Sequence, residues 1–272
     1  MDRCIAYLEK WEVPWGFPTL AAGMVGWAVS FVIVGGALVP AVAAALGVEL
    51  GSLSPQELPL YTVAVQVTET VVGIGLINAV CSKWKPLPED LFKIELSNPL
   101  TPPYGWLGWG ILGYSSTFFV VTFTTILSSA LSIQEEGTGT ADNIIPMVES
   151  ISFENAVYLL IVTSVLAPLL EEYVFRGFLL TSLTKWVPTP VAIVGSAAAF
   201  ACAHFAPRDV PQLFALGLVL GTTYVRSRNL LTPMLVHSFW NSGVLFLLVF
   251  LTWQGYDVTE LMYIHPIGMD RF

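Results

Sequence analysis

The chain has 272 residues, of which 55% are hydrophobic and only 11% are charged. An ordinary soluble domain carries about 25% charged residues, so this composition excludes a typical soluble enzyme. A mean hydropathy of +0.71 excludes a disordered chain, and a formal net charge of -9 disfavours nucleic acid, whose affinity for proteins comes largely from Lys and Arg. Three cysteines, an odd number, do not form a closed set of disulfides.

Hydrophobic segments long enough to cross a bilayer follow one another along the chain. Crossing about 30 Å of hydrocarbon takes about 20 helical residues. Residues 18–48 and 105–134 contain no charged side chain at all. Further segments with few charges are residues 60–81, 155–184, 186–205, 210–225 and 229–255. We therefore predict an all-α polytopic membrane protein with about seven transmembrane helices, within a range of about six to eight.

The charged residues of the connections divide unevenly between the two sides of the membrane. The basic side, as we call it, holds Arg3, Lys10, Lys83, Lys85, Lys93, Lys185, Arg226 and Arg228. The opposite, acidic side holds Arg208 and Arg271, together with segments 49–57 and 135–154, which contain acids and no base. Because basic residues favour the cytoplasmic side of short loops, this pattern predicts an N terminus on the cytoplasmic side.

The chain is predicted to have four parts. Residues 1–17 lack the apolar region of a signal peptide and are predicted to form an interfacial helix, with Trp11 and Trp15 at headgroup depth. Residues 18–150 hold the N-terminal transmembrane helices and loops. Residues 151–255 form the core that carries the candidate site, and residues 256–272 form a C-terminal tail.

Three ionisable residues lie together in one hydrophobic segment, where each costs at least about 2.5 to 3.5 kcal/mol on insertion scales. Arg176 follows Glu172 at i+4, the spacing that brings two side chains together on a helix face, so a buried ion pair is predicted. Glu171 projects about 100° away around the helix and is left without a cation of its own. A carboxylate in this position is a candidate general base or acid.

Two histidines lie in separate hydrophobic segments. His204 follows Phe200 at i+4, and taken alone it is explained as a hydrogen-bonded packing residue. His237 precedes Asn241 at i+4, which gives one helix face two polar side chains, and an interhelical hydrogen bond is the alternative explanation. A carboxylate, two imidazoles and an amide on three helices are harder to explain as separate packing contacts.

Together these groups have the chemistry of a hydrolase. A carboxylate beside an imidazole can take a proton from water, and an imidazole and an amide can donate hydrogen bonds to an oxyanion. Two histidines and a glutamate also form zinc sites, so metal binding remains an alternative, although the spacing matches no recognised metal motif. A cysteine nucleophile is disfavoured because Cys202 lies roughly 200° around the helix from His204.

Three ordered motifs carry a resemblance to a known family. Residues 171–176 read Glu-Glu-x-x-x-Arg, residues 200–204 read Phe-x-x-x-His, and residues 237–241 read His-x-x-x-Asn. In order, spacing and placement they resemble the CPBP family of intramembrane proteases, also called the ABI family, which contains the type II CAAX prenyl endopeptidases. The resemblance covers residues 171–241 and says little about residues before 150.

The resemblance implies a metal-independent, glutamate-type intramembrane endopeptidase that needs no cofactor and acts on a membrane-associated protein within the lipid. Glu171 would be the catalytic glutamate, with His204 as its partner in activating water that arrives from the basic side. His237 and Asn241 would form the oxyanion hole. The supporting residues would be Glu172, Arg176 and Phe200.

The resemblance is greatest to plastid and cyanobacterial members, on residues 183–191, 228–233 and 254–257. It implies a thylakoid, envelope or cyanobacterial membrane, with the N terminus on the stromal or cytoplasmic side. Prenylated CAAX substrates are not expected there, so the substrate stays unassigned.

Two other functions are compatible with the sequence. One is a non-proteolytic adaptor that stabilises a plastid membrane partner, such as a factor of chlorophyll metabolism or photosystem assembly. The other is a proton-coupled transporter that uses Glu69, Glu171 and His204 as a relay.

Overall fold

A computed structural model describes residues 9–103, 105–131, 138–149 and 152–258, and these residues form helices and no strand. The prediction of an all-α protein is confirmed. The helices are α1 (Phe17–Ala45), α2 (Leu58–Cys81), α3 (Trp106–Ala130), α4 (Ile145–Glu149), α5 (Phe153–Leu183), α6 (Thr189–Ala203), α7 (Val210–Ser227) and α8 (Leu231–Trp253).

Among the described residues, five helices are long and apolar enough to cross a membrane, namely α1, α2, α3, α5 and α8. The protein is therefore an integral, multi-pass membrane protein. The predicted count of about seven also included α6 and α7. Helix α6 has 15 residues, which at about 1.5 Å each is shorter than the hydrocarbon layer. Polar residues such as Gln212 and Thr222 interrupt α7.

Glycines bring the helices around α5 and α6 into close contact. A Cβ at Gly73 of α2 would lie 2.7 Å from Leu170 of α5, so α2 packs directly on the helix that carries the two glutamates. A Cβ at Gly217 of α7 would lie 2.9 Å from Ala197 of α6. Small residues allow this approach because the backbones meet without a side chain between them. The short α6 is thereby held against α7 along its length.

The N-terminal segment differs from its prediction. Residues 9–16 form no helix, and Trp11 and Trp15 are buried in the protein core. Trp11 stacks on Tyr224 with ring centroids 5.2 Å apart, and the Trp15 indole N–H donates to Ser182 Oγ at 2.8 Å. The interfacial helix is therefore wrong for residues 9–16, because each indole gains apolar contact on helices far along the chain. Residues 1–8 of that prediction lie outside the described residues.

The connection between α7 and α8 is buried under the segment that follows α2. The Leu230 N–H donates to the Lys93 carbonyl at 2.7 Å, and Asn229 Nδ2 donates to the Glu95 carbonyl at 2.6 Å. Asn229 and Leu230 are 4% and 0% exposed. Helix α8 therefore begins below the basic surface of the protein. His237, six residues after the start of α8, therefore lies at the same level as His204, which follows the C-terminal end of α6.

A short segment on the acidic side forms a second apolar cluster. Ile145 and Val148 of α4 pack with Leu159 of α5 and with Leu245 and Leu248 of α8. Segment 138–149 thus packs against the part of α5 that precedes the two glutamates and the part of α8 that follows His237.

Candidate active site

The predicted site residues of three helices converge on one carboxylate. Glu171 Oε2 lies 3.9 Å from His204 Nε2 and 3.8 Å from His237 Nε2. Glu171 belongs to α5, His204 follows the last residue of α6, and His237 lies on α8. The sequence placed these residues in three separate hydrophobic segments, and the fold brings them together.

Hydrogen bonds fix the orientation of both imidazoles. His237 Nδ1 lies 2.9 Å from Glu172 Oε1, and His204 Nδ1 lies 2.8 Å from the Phe200 carbonyl oxygen. A carboxylate and a carbonyl only accept hydrogen bonds, so each Nδ1 carries the hydrogen. Both Nε2 atoms are then directed at Glu171, free to accept a proton or to donate one when the ring is charged.

The predicted ion pair between Glu172 and Arg176 is confirmed. Arg176 Nη1 lies 2.8 Å from Glu172 Oε1, and both side chains are fully buried. Glu172 Oε1 also accepts from His237 Nδ1, while His237 Nε2 faces Glu171 Oε2. The two adjacent glutamates therefore contact opposite nitrogens of one imidazole. Arg176 also donates to the Gly217 carbonyl at 3.4 Å, which links the site to α7. Burial of this pair is tolerated because each charge has a partner.

Phe200 packs among the charged groups of the site. Its ring lies 4.4 Å from the Arg176 guanidinium carbon and contacts His204 edge to face at 4.6 Å between centroids. His237 contacts the same ring at 5.7 Å. The ring is fully buried, so it fills the space between the two imidazoles and excludes water from the Arg176 side.

Asn241 projects from α8 one turn after His237, but its amide does not reach Glu171. Asn241 Nδ2 donates to the Thr163 carbonyl at 2.8 Å. That carbonyl is free because α5 widens into a π-helical turn at Val162–Leu166, where the Ala167 N–H bonds to the Val162 carbonyl instead. The residue that would otherwise donate to it is Pro168, which has no N–H. The sequence does not single out Thr163 as part of the site. The local signal for its free carbonyl is Pro168, five residues later.

Exposure differs between the glutamate and the part of α5 that follows it. Residues 174–182 of α5 are all buried, whereas the side chains of Glu171 and His204 are 22% and 20% exposed. The approach of water from the basic side stays a prediction. A cavity of about 400 Å³ lies at the C-terminal end of α6, where His204 is, and is lined by Cys202, Phe205 and Pro207 among others.

Two of the alternatives can be compared with this geometry. In the described part of the chain no group of three or more His, Cys, Asp and Glu side chains is arranged to hold a metal ion. Glu69 is buried on α2, where its Oε1 lies 3.0 Å from the Cβ position of Gly35 on α1. One neighbour of this carboxylate thus belongs to α1, and among the described residues no hydrogen bond or ion pair joins Glu69 to Glu171 or His204 as a relay would require.

Comparison with known proteins points to one class. The family model of the type II CAAX prenyl endopeptidase Rce1-like proteins matches residues 153–243, a range that contains Glu171, His204, His237 and Asn241. The chain is also similar to the membrane-embedded CAAX protease MroQ of Staphylococcus aureus (strain USA300). The two are 24% identical over 193 residues, which cover 66% of this chain and 75% of MroQ. No solved structure matches the chain. The part of the chain that carries the site therefore resembles CAAX proteases.

Proposed function

We propose that this protein is an intramembrane endopeptidase that hydrolyses a peptide bond of a membrane-associated substrate, with Glu171 as the general base. The observation that carries the proposal is the convergence of both imidazole Nε2 atoms on Glu171 Oε2, at 3.8 and 3.9 Å. The similarity of residues 153–243 to Rce1-like endopeptidases supports the same reaction class.

Water activation follows from the spacing of these atoms. Separations of 3.8 and 3.9 Å exceed a direct hydrogen bond and suit a water molecule bound between the carboxylate and an imidazole. Glu171 takes one proton from this water while His204 Nε2 accepts its other hydrogen and orients it. The resulting hydroxide attacks the carbonyl carbon. The C–N bond then breaks as Glu171 returns its proton to the leaving amine, which gives a carboxylic acid and an amine.

His237 and Asn241 supply the oxyanion donors in this proposal. His237 Nε2 lies 3.8 Å from Glu171 Oε2, next to the place proposed for the attacking water, and Glu172 holds the ring through Nδ1. When Nε2 carries a hydrogen, it donates to the developing oxyanion. Asn241 uses one amide hydrogen on Thr163 and retains a second for the oxyanion.

The proposed reaction requires no metal ion. A zinc peptidase would instead use the same glutamate and histidines as ligands. We expect the purified protein to keep its cleavage rate after dialysis against 1,10-phenanthroline and EDTA. Loss of activity that returns on adding zinc would assign these three residues as ligands and contradict the proposed role of Glu171.

Two experiments test the proposed activity. In proteoliposomes, cleavage is followed with quenched fluorescent peptides, one ending in a farnesylated CAAX motif and others spanning the membrane without a prenyl group. In membranes of the source cells, wild type and Glu171→Gln are purified with their bound proteins. An endopeptidase accumulates substrate on the Glu171→Gln protein alone. An identical stoichiometric partner on both proteins, without peptide cleavage, would indicate the adaptor function instead.

We further propose that the protein resides in a plastid thylakoid or envelope membrane, or in a cyanobacterial membrane, with its N terminus on the stromal or cytoplasmic side. The support is the sequence resemblance on residues 183–191 and the excess of basic residues on one side. Fractionation of the source cells tests the location, and protease protection of an N-terminal epitope tests the orientation. An N-terminal epitope exposed on the side of the membrane opposite the stroma or cytoplasm would overturn the orientation.

A further inference from the structure

The chain that directly follows His204 has an unusual backbone. Phe205 has a φ of 49°, in the left-handed region that residues other than glycine rarely adopt, and its side chain is 84% exposed. Residues 207–209 then form a single 3-10 turn that leads into α7. Such a conformation persists only where surrounding contacts hold it. His204 is the last residue before this strained turn, so contacts that hold the turn also hold the end of α6 that carries the imidazole.

Those contacts come from a segment more than sixty residues away in the chain. Arg208 Nη2 lies 2.7 Å from Asp142 Oδ1. The Thr140 N–H and hydroxyl both donate to Asp209 Oδ2, at 2.6 and 2.7 Å. Two consecutive residues of the turn after His204 are thus bound to segment 138–149 by charged hydrogen bonds, which are stronger than neutral ones.

Contacts within segment 138–149 orient Asp142, and the C-terminal part of the segment packs on two other helices. Asp142 Oδ2 accepts the Gly139 N–H at 2.7 Å, which holds the aspartate towards Arg208. A Cβ at Gly139 would collide with the Arg208 guanidinium, so a larger residue would require that flexible end to shift from its present position beside Asp142. Ile145 and Val148 pack on α5 and α8, the helices that carry Glu171 and His237. The segment therefore connects the turn after His204 to both other helices of the site.

We propose that segment 138–149 is a strap that positions His204, with Arg208 and Asp142 as positioning residues for the peptidase reaction. This proposal rests on the proposed function, since it concerns how His204 reaches the water on Glu171. Arg208 lies four residues beyond His204 and pairs with Asp142 and with its neighbour Asp209, so we expect it to act on His204 through the turn. A misplacement of about 1 Å at a reacting group can lower a rate about 100-fold.

A matched pair of aspartates tests the strap. Asp90 pairs with Arg228 at 3.1 Å, and in both pairs the arginine side chain is 14% exposed. We expect Asp142→Asn and Arg208→Gln to lower kcat of wild-type protein about 10- to 100-fold with KM within about twofold. Asp90→Asn, which breaks an equivalent pair far from His204, should leave both unchanged. Equal effects of Asp142→Asn and Asp90→Asn, or an effect on KM alone, would overturn the positioning role.

A cross-link distinguishes a fixed strap from a lid that must open. In a Cys202→Ser background, Thr140→Cys with Asp209→Cys replaces the hydrogen bond by a disulfide on mild oxidation. Positioning predicts that the bond forms and that the oxidised protein keeps its kcat or exceeds that of the reduced form. Inactivation on oxidation, reversed by reductant, would overturn the proposal in favour of a lid. Failure of the bond to form would contradict the contact itself, whether or not the protein cleaves peptides.

The proposed function and the strap fail in different ways. Wild-type protein that cleaves neither peptide probe and accumulates nothing as Glu171→Gln contradicts the peptidase, and the strap proposal falls with it. Wild-type cleavage that is insensitive to Asp142→Asn and Arg208→Gln contradicts the strap alone.

Discussion

Glu69 and Glu171 are both acidic residues on membrane helices, but their surroundings differ completely. Glu69 is 5% exposed, its carboxylate approaches Gly35 of α1, and no hydrogen bond or ion pair joins it to another described side chain. Glu171 has a side chain 22% exposed and meets imidazoles from two other helices. A buried acid is therefore not by itself a sign of catalysis. What distinguishes Glu171 is that groups able to exchange protons approach it from separate parts of the chain.

The same local device occurs beside each carboxylate. Helix α1 has a π-helical turn at Val34–Leu38 with Pro40 two residues after it, as α5 has one at Val162–Leu166 followed by Pro168. In α5 the freed Thr163 carbonyl receives Asn241, whereas in α1 the turn presents Gly35 to Glu69. π-helical turns are frequent at functional sites, yet only one of these two lies beside a cluster of bases.

The largest effect short of Glu171 itself is expected at His237. His237→Gln removes the proposed oxyanion donor and the hydrogen-bond partner of Glu172, and we expect kcat to fall about 100- to 1000-fold. The proteoliposome peptide assay measures this loss, and circular dichroism in detergent confirms that the variant is folded. If a folded His237→Gln variant cleaves at the wild-type rate, the convergence on Glu171 has no catalytic meaning.

Substitution of Arg176 should lower the free energy of unfolding more than substitution of any residue near Glu69. Arg176→Met leaves Glu172 buried without its cation, and breaking a buried pair costs about 3–5 kcal/mol. The double variant with Glu172→Gln should recover most of that loss, because no unpaired charge remains. Denaturant unfolding in micelles measures both free energies. A single variant as stable as wild type would show that the pair does not stabilise the site.

Pro168 offers a milder test of the α5 turn. Pro168→Ala restores an N–H that competes with Asn241 for the Thr163 carbonyl, so we expect kcat to fall about tenfold while the protein remains folded. Pro40→Ala provides the matched control in α1 and should leave kcat unchanged. Equal effects of the two substitutions would indicate general destabilisation instead of a role for Asn241.

The smallest effect is expected at the helix contact of Glu69. Gly35→Ala places a Cβ 3.0 Å from Glu69 Oε1, so the flexible end of the glutamate must shift. We expect a loss of stability of about 1 kcal/mol and an unchanged turnover per folded molecule. Thermal unfolding and the peptide assay measure the two quantities. A large loss of turnover would connect Glu69 to the reaction and remove the distinction between the two acids.

The long apolar helices and the ion pair of α5 could be predicted from the sequence because both depend on short-range patterns. Uninterrupted apolar runs predict α1, α3 and α8, and the i+4 spacing of Glu172 and Arg176 predicts their ion pair. Scarce charge in these runs is also what singles out Glu171 as a candidate.

Features that depend on distant contacts were not predictable in the same way. Trp11 and Trp15 look interfacial by composition, but their positions are decided by Tyr224 and Ser182. Asn241 looks like a free donor until Pro168 exposes the Thr163 carbonyl. Each of these pairings joins residues far apart in the chain, and no local periodicity encodes them.

The measurement that tests the catalytic role of Glu171 most directly compares Glu171→Gln with Glu69→Gln in proteoliposomes, at matched protein amounts and in the presence of chelators. Both substitutions replace an acid on a membrane helix by its isosteric amide. We predict that Glu171→Gln lowers the cleavage rate by at least about 1000-fold while Glu69→Gln retains the wild-type rate. Unchanged cleavage by a folded Glu171→Gln protein, or equal loss in both variants, would contradict the account.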